Sequence, residues 1–420
     1  MPKAEAKPAP KQALTPPPPP ALPTAEERAK SQLTFAQNIF KSASEDILPS
    51  IGEQAEAYLW EFRDNPEADQ AQYLKAEVDE RRGESIAAIT DFIKLFYEYP
   101  QTELKMNAKQ KMFLLVDKKL NKKLKPQITE IARGPREGLD RPQRFAAFLR
   151  AMAALKESVF YQPLREEFRE YLRRYPGHED AGDITFEFGQ LHLQNGNYQN
   201  AILLYQKVLA VYKEGALAAK AQIGVGDTYA QALKDYNKAV EAYQAVTKKF
   251  AAYPEAGDAY VKLATIFDQN LKQPDLALET LDKIIANYAG TDSAYAAYLE
   301  MSRIQKERNK DHSKAVAALQ AASKMFAGEE RAAEALKKAS EIAGDDLQDD
   351  TFKAKLLKDL VENCPQCKGA PAALWDAGQV YERRLKAPGE ALPVYKRLVA
   401  DYPADAHVKD AQKRIRELSK

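Results

Sequence analysis

Apolar and small residues recur along this chain at helical spacing, and the recurrence itself repeats. "AILLYQKVLAVY", Ala201 to Tyr212, is an apolar-striped helix ending on an aromatic. Its opening small residue returns at Ala239, Ala277 and Ala315, becomes Lys353, and returns at Ala391, each step being 38 residues. Four residues into each motif stand Tyr205, Tyr243, Leu281, Leu319, Leu357 and Tyr395. Eleven residues in stand Tyr212, Phe250, Tyr288, Phe326, Cys364 and Tyr402. Upstream of each opener runs another column, mostly small: Phe188, Gly226, Ala264, Ser302, Ser340 and Gly378. A small residue facing a small residue lets two helix backbones approach, and the aromatics fill the space on either side. Turn signals such as "QNGNY" (Gln194–Tyr198) and "LKQPD" (Leu271–Asp275) separate the paired stripes. The pattern predicts one helix–turn–helix hairpin per period, each burying its apolar face only against its neighbours.

The register extends backwards to Tyr175-Pro176 and Tyr99-Pro100. Between these two marks, residues 101–137 keep the spacing but lose the motif. Helices about Ala25–Ala43 and Gly52–Phe62 are expected to cap one end, and "HVKDAQKRIRELSK" the other. The expected order is a Pro/Ala/Lys-rich tether at 1–24 and a helical cap at 25–70. Divergent repeats at 71–185, with a basic degenerate unit at 101–144, lead to regular repeats at 186–403 and a capping helix at 404–420.

The columns resemble the tetratricopeptide repeat. They share its small residue in the first helix, the aromatic three later, the small residue opening the second helix and the aromatic four after it. Pro365 and Pro403 follow the last column position, Cys364 and Tyr402, in two units. The period exceeds the family's roughly 34 residues, and the excess is expected in the two turns. The resemblance implies an all-α fold, a right-handed α-solenoid of about nine repeats plus capping helices. The aromatic-proline junctions, "DYPADAHVKDAQ", "RYPGHEDAGD" and "EYPQTELK", are similar to those of bacterial cell-envelope repeat proteins. Among these are the Tol–Pal-associated periplasmic repeat protein and the repeat lipoprotein of the outer-membrane assembly machine. That likeness implies a non-enzymatic adaptor for protein partners in the periplasm or envelope, with the cytoplasm as the alternative address.

Composition narrows the chemistry. With 62 basic and 61 acidic residues, overall charge forces no polyanion partner. No apolar run approaches the length of a membrane span. Nine of the first 24 residues are Pro, and the stretch lacks the apolar core of a signal peptide. Four scattered histidines (His178, His192, His312, His407) show no metal-ligand spacing, and no cofactor or catalytic motif is found. Gly224-Val225-Gly226 is read as close helix packing, and the aspartates of "GDDLQDD" as a turn and helix cap. Cys364 and Cys367 close a helix rather than open one, so they are expected to be structural thiols or a local disulfide.

Residues 101–144 hold 12 basic against five acidic residues. Lys105, Lys109, Lys111, Lys118, Lys119, Lys122, Lys123 and Lys125 form the core of this patch, which suits an acidic protein, anionic lipid or glycan better than nucleic acid. In an α-solenoid the first helices line the concave face. The positions expected to meet a protein or peptide there are Asp227, Gln231, Thr265, Asp268, Gln269, Arg303, Lys306, Glu307, Gln379, Glu382 and Arg383. A regulatory subunit of an enzyme complex is a further alternative.

Overall fold

The small-residue columns pair the helices as their spacing predicts. A computed structural model describes residues 22–419, so most of the expected tether lies outside the described residues. Among these residues there are 21 α-helices and no strand. The chain forms two compact units, dividing at His178/Glu179.

The second unit is a regular array. Its helices are α9 (Ala181–Gln194), α10 (Tyr198–Val211), α11 (Ala216–Asp227), α12 (Tyr236–Lys249), α13 (Glu255–Thr265) and α14 (Pro274–Asn287). They continue as α15 (Asp292–Glu307), α16 (His312–Met325), α17 (Glu330–Asp345), α18 (Asp350–Asn363), α19 (Ala370–Gln379), α20 (Pro388–Asp401) and the closing α21 (Val408–Leu418). Each helix packs on the next, and successive first helices also touch: α9 with α11, α11 with α13, α13 with α15. Ala201, Ala239, Ala277, Ala315 and Ala391 are fully buried, as the opener column requires.

Side-chain size is matched across the hairpin. A Cβ on Gly226 would lie 2.5 Å from the Tyr243 ring, and one on Gly378 would strike Tyr395. Where the second-helix column holds Leu281, Leu319 or Leu357, the first-helix column holds Ala264, Ser302 or Ser340, all buried. The first hairpin departs from the expected column: Gly189, not position 188, lies under Tyr205, whose other ring edge meets Gly224.

The turn between paired helices is a repeated device. Gly196, Lys234, Lys272, Lys310, Gln348 and Lys386 all have φ between 52° and 76°, in the left-handed region. The residue after each sits at the N-cap of the second helix, and Asp235, Asp311 and Asp349 there accept a bond from the first-turn backbone. Three first helices end in a π-helical turn: Thr228–Leu233, Ile266–Asn270 and Val380–Arg384. Part of the long period therefore lies inside the widened end of the first helix, not only in the turns. The aromatic column ties one repeat to the last, with Tyr288 Oη donating to the Ala251 carbonyl at 2.8 Å and Tyr402 Oη to the Pro365 carbonyl at 2.6 Å.

The first unit contains α1 (Ala25–Ser42), α2 (Leu48–Glu61), α3 (Ala68–Arg81), α4 (Ser85–Glu98), α5 (Lys105–Lys119), α6 (Lys125–Ile131), α7 (Arg141–Ala153) and α8 (Tyr161–Arg174). A capping box between Thr24 and Glu27 starts α1. Helix α4 is packed by α3, α5, α7 and α8, and every residue from Ala88 to Glu98 is buried. The expected degenerate unit is not a hairpin stacked in series. Helix α5 lies on α4 through Ala108, Met112, Leu115 and Val116, while α7 also packs directly on α4.

Candidate interaction surfaces

First helices of the second unit border two polar grooves. A groove of about 640 Å³ is lined by α13, α15 and α17, and it brings together Thr265, Arg303, Lys306 and Glu307 with Lys338 and Glu341. A smaller one of about 270 Å³ is lined by α9, α11 and α13 and includes Asp227 and Lys262. Gln231, Gln269 and Arg383 are exposed.

Other residues expected on this face are held internally. Asp227 accepts from Tyr243 Oη at 2.6 Å and from Lys262 Nζ at 2.7 Å. Gln379 donates to Tyr395 Oη at 2.8 Å, and that hydroxyl donates to Glu382, which Arg414 also grips. Lys306 pairs with Asp346 at 2.6 Å. Asp268 is a correction to the expected surface: it is 1% exposed and locked between Arg303 and Arg308, so no partner reaches it. Burial alone would push its carboxyl up, but hydrogen bonds from those guanidiniums hold it below the usual range. These bonds cross between neighbouring first helices, which a reading of one hairpin at a time misses.

Of the eight predicted lysines, Lys111 pairs with Glu77 and Glu80, Lys125 with Asp117, and Lys109 lies 5.8 Å over the Phe96 ring. Lys105 is half-buried. Lys118, Lys119, Lys122 and Lys123 are exposed and make no ion pair among the described residues. Cys364 and Cys367 are joined as a disulfide at the end of α18.

The first unit holds a polar site that the sequence reading passed over. Helix α4 is apolar almost throughout, yet Asp91, Lys94 and Glu98 are spaced along one stripe of it, and all three are buried. A helix that is apolar all round is a buried helix, so its few charges must be paired inside; that was the available signal. Lys94 Nζ lies 2.6 Å from Glu167 and 2.7 Å from Glu170. Lys75 Nζ lies 2.6 Å from Asp91, which also accepts from Gln72 at 3.0 Å. Arg174 holds Glu170 from its other side at 2.6 Å, and Arg63 grips Glu98. Together with α2, these residues apart from Asp91 line a groove of about 750 Å³.

Burial pushes the Glu167 carboxyl up to about 7; Lys94 opposes this, while Glu170 and Asp91 add to it. Asp79 is likewise pushed up to about 7, by burial and by neighbouring Asp91. For Glu170, Lys94 and Arg174 outweigh burial and hold it at about 2. Both lysines stay charged, because Asp91 at Lys75 and Glu167 at Lys94 overcome the cost of burial.

A search of curated proteins returns no match. Among solved structures, a tetratricopeptide repeat protein from Parabacteroides merdae is similar at 13% identity over 74% of this chain and 98% of that one, with a TM-score of 0.33. The C-terminal part of a repeat protein from Cytophaga hutchinsonii aligns at 17% identity over 63% and 98%, with a TM-score of 0.38. The Cut9–Hcn1 assembly aligns at 13% over 94% and 87%, with a TM-score of 0.31. At such identities and scores, neither partner nor activity transfers. The family described as Tetratricopeptide repeat matches residues 165–219, 186–246 and 228–292, so the likeness to that repeat holds for this stretch, under a third of the chain.

Proposed function

We propose that the protein is a scaffold that binds other proteins along the first-helix face of its second unit, within a bacterial cell-envelope assembly. The observation that carries this reading is the run of adjoining first helices, whose grooves mix acids and bases, Glu307, Lys338 and Glu341 among the exposed ones. Repeat arrays offer extended surfaces of this kind to peptides and helices. The aromatic-proline junctions support the envelope context, and a disulfide is a bond suited to an oxidising compartment. Photocrosslinkers at Gln231, Gln269 and Arg383 should capture a common partner. Those at Lys207, Glu241 and Glu279, exposed on second helices, should capture it poorly. Equal yields from both sets would sink the proposal.

A second reading is supported by the lysines at the end of α5. Lys118 continues an exposed stripe with Met106, 75% exposed, and Leu114, 54% exposed. Apolar groups beside unpaired lysines suit the surface of an anionic bilayer. Each lysine near such a surface contributes about 1 kcal/mol. Changing Lys118, Lys119, Lys122 and Lys123 to Gln should then abolish binding to vesicles containing anionic lipid. No binding by the unaltered chain at low salt would end this reading.

A further inference from the structure

A second groove of the first unit, about 770 Å³ between α1, α3 and the turn before α5, is lined by charges that are already engaged. Its apolar lining is Phe40, Pro66, Tyr73, Leu74 and Leu104. Arg81 donates to the Phe40 and Ala43 carbonyls and lies 4.8 Å from the Phe40 ring centroid. Glu77 pairs with Lys111 at 3.1 Å, Asp69 accepts from Thr102 at 2.8 Å, and Lys41 donates to Asn38 at 3.2 Å. Of the lining charges, Glu103 alone has no such partner among the described residues. Gln101 makes no side-chain hydrogen bond there, and Gln70 accepts from Gln37 without donating its own amide. The groove thus presents rings, aliphatic carbons and spare amide donors, and it requires neither an N–H nor a charge from what fills it.

A proline run has that chemistry. It carries apolar rings and accepting carbonyls, and it has no N–H to satisfy. Such runs dock in aromatic-lined grooves. Residues 16–20 of this chain are consecutive prolines, preceded by Pro8 and Pro10. They lead to the N-cap of α1, Thr24, whose φ of −62° and ψ of 163° lie in the polyproline region. Length fits as well. Phe40 stands sixteen residues beyond Thr24, about 24 Å along the helix. Pro16 stands eight residues before Thr24, about 25 Å of polyproline chain. A segment doubling back beside α1 therefore brings its far prolines to Phe40, and residues 8–15 add about 25 Å more.

We propose that this groove seats the proline-rich segment 8–20 of the same chain, with proline rings against Phe40 and Tyr73 and carbonyls accepting from the Gln70 and Gln101 amides. The contact lies within the first unit and does not depend on the scaffold reading of the second. Its failure would leave the crosslinking pattern of the first-helix face untouched.

The test compares the unaltered full chain with one in which Pro8, Pro10 and the prolines at 16–20 are all changed to Ser. The probe is a fluorescently labelled synthetic peptide of residues 6–21, followed by anisotropy. It should bind the serine-tailed chain saturably and the unaltered chain roughly tenfold more weakly, because a tethered competitor acts at about millimolar effective concentration. Gln70→Glu with Gln101→Glu, at half-buried and exposed positions, puts acceptors where donors stood. In the serine-tailed chain this pair should weaken the peptide about fivefold. A photocrosslinker at Gln101 of the unaltered chain should capture residues 8–20 within one chain, and one at Gln110, exposed on α5 and outside the lining, should not. Equal binding of the peptide by both chains would overturn the proposal. So would no saturable binding to the serine-tailed chain, unchanged binding by the folded Gln70→Glu, Gln101→Glu chain, or a serine-for-proline peptide binding as tightly. Crosslinks formed only between chains, rising with concentration, would give the groove to a second copy and overturn the contact within one chain.

Discussion

Lys94→Met should destabilise the first unit by about 3–5 kcal/mol, the usual cost of removing one partner from a buried ion pair. Two carboxylates depend on this ammonium, Glu167 at 2.6 Å and Glu170 at 2.7 Å. Glu170 keeps Arg174, so the larger part of the loss falls on Glu167. Adding Glu167→Gln should therefore restore most of the stability. The loss should also depend on pH. Glu167 and Asp79, raised to about 7, hold protons in the folded chain that the unfolded chain has released. Folded-state proton excess makes stability fall as pH rises between about 4.5 and 7. Glu170, depressed to about 2, acts only below that window, where its contribution is lost as pH falls. The unaltered chain should thus show a denaturant midpoint for this unit that declines from pH 5 to pH 8, and Glu167→Gln should flatten the decline. In Lys94→Met the decline should continue to higher pH, since Lys94 no longer offsets the burial that raises Glu167. A pH-independent midpoint in the unaltered chain would show that these carboxyls titrate normally.

Gly226→Ala should lower stability by about 1–3 kcal/mol, the cost of overpacking a filled core, although the same change in an exposed helix is worth about 1 kcal/mol in the opposite direction. The new methyl would lie 2.5 Å from the Tyr243 ring. That ring cannot swing aside, because Tyr243 is 1% exposed and its hydroxyl is bonded to Asp227. Tyr243→Leu alone should also destabilise, by about 2–4 kcal/mol, through the space it leaves. Together the two changes reproduce the Ala264–Leu281 combination of the next hairpin, and they should cost less than their sum by about 1–3 kcal/mol. Amide exchange in α11 and α12 measures this locally, which matters because a long array need not unfold as one unit. Strict additivity would mean that the two columns do not share one space.

The hairpins were legible because their packing is periodic. A small residue, a tyrosine and an aromatic at fixed offsets are what two close helices and a neighbour demand, and the demand recurs every 38 residues. Charges were harder to read. Asp227 bonds to Lys262, Asp258 to Ser293 and Asp268 to Arg303, each pair 35 residues apart. That offset joins adjacent first helices, not partners within one hairpin, so a reading confined to one repeat placed Asp268 on the surface. The α4 stripe was visible in principle: three charges in an apolar helix, Asp91, Lys94 and Glu98. Its meaning depends on Glu167, Glu170 and Arg63, which approach from α8 and the α2–α3 turn and share no local pattern with it.

The seat of α7 on α4 has a further consequence. Since α7 packs directly on α4, the stretch from Pro100 to Asp140 lies beside that contact, with α5 on α4 and α6 touching α7. Its exposed positions, Lys118, Lys119, Lys122 and Lys123 among them, can be rewritten without touching the α4–α7 contact. The lysines have thus gathered on an edge where a change of side chain is mechanically cheap.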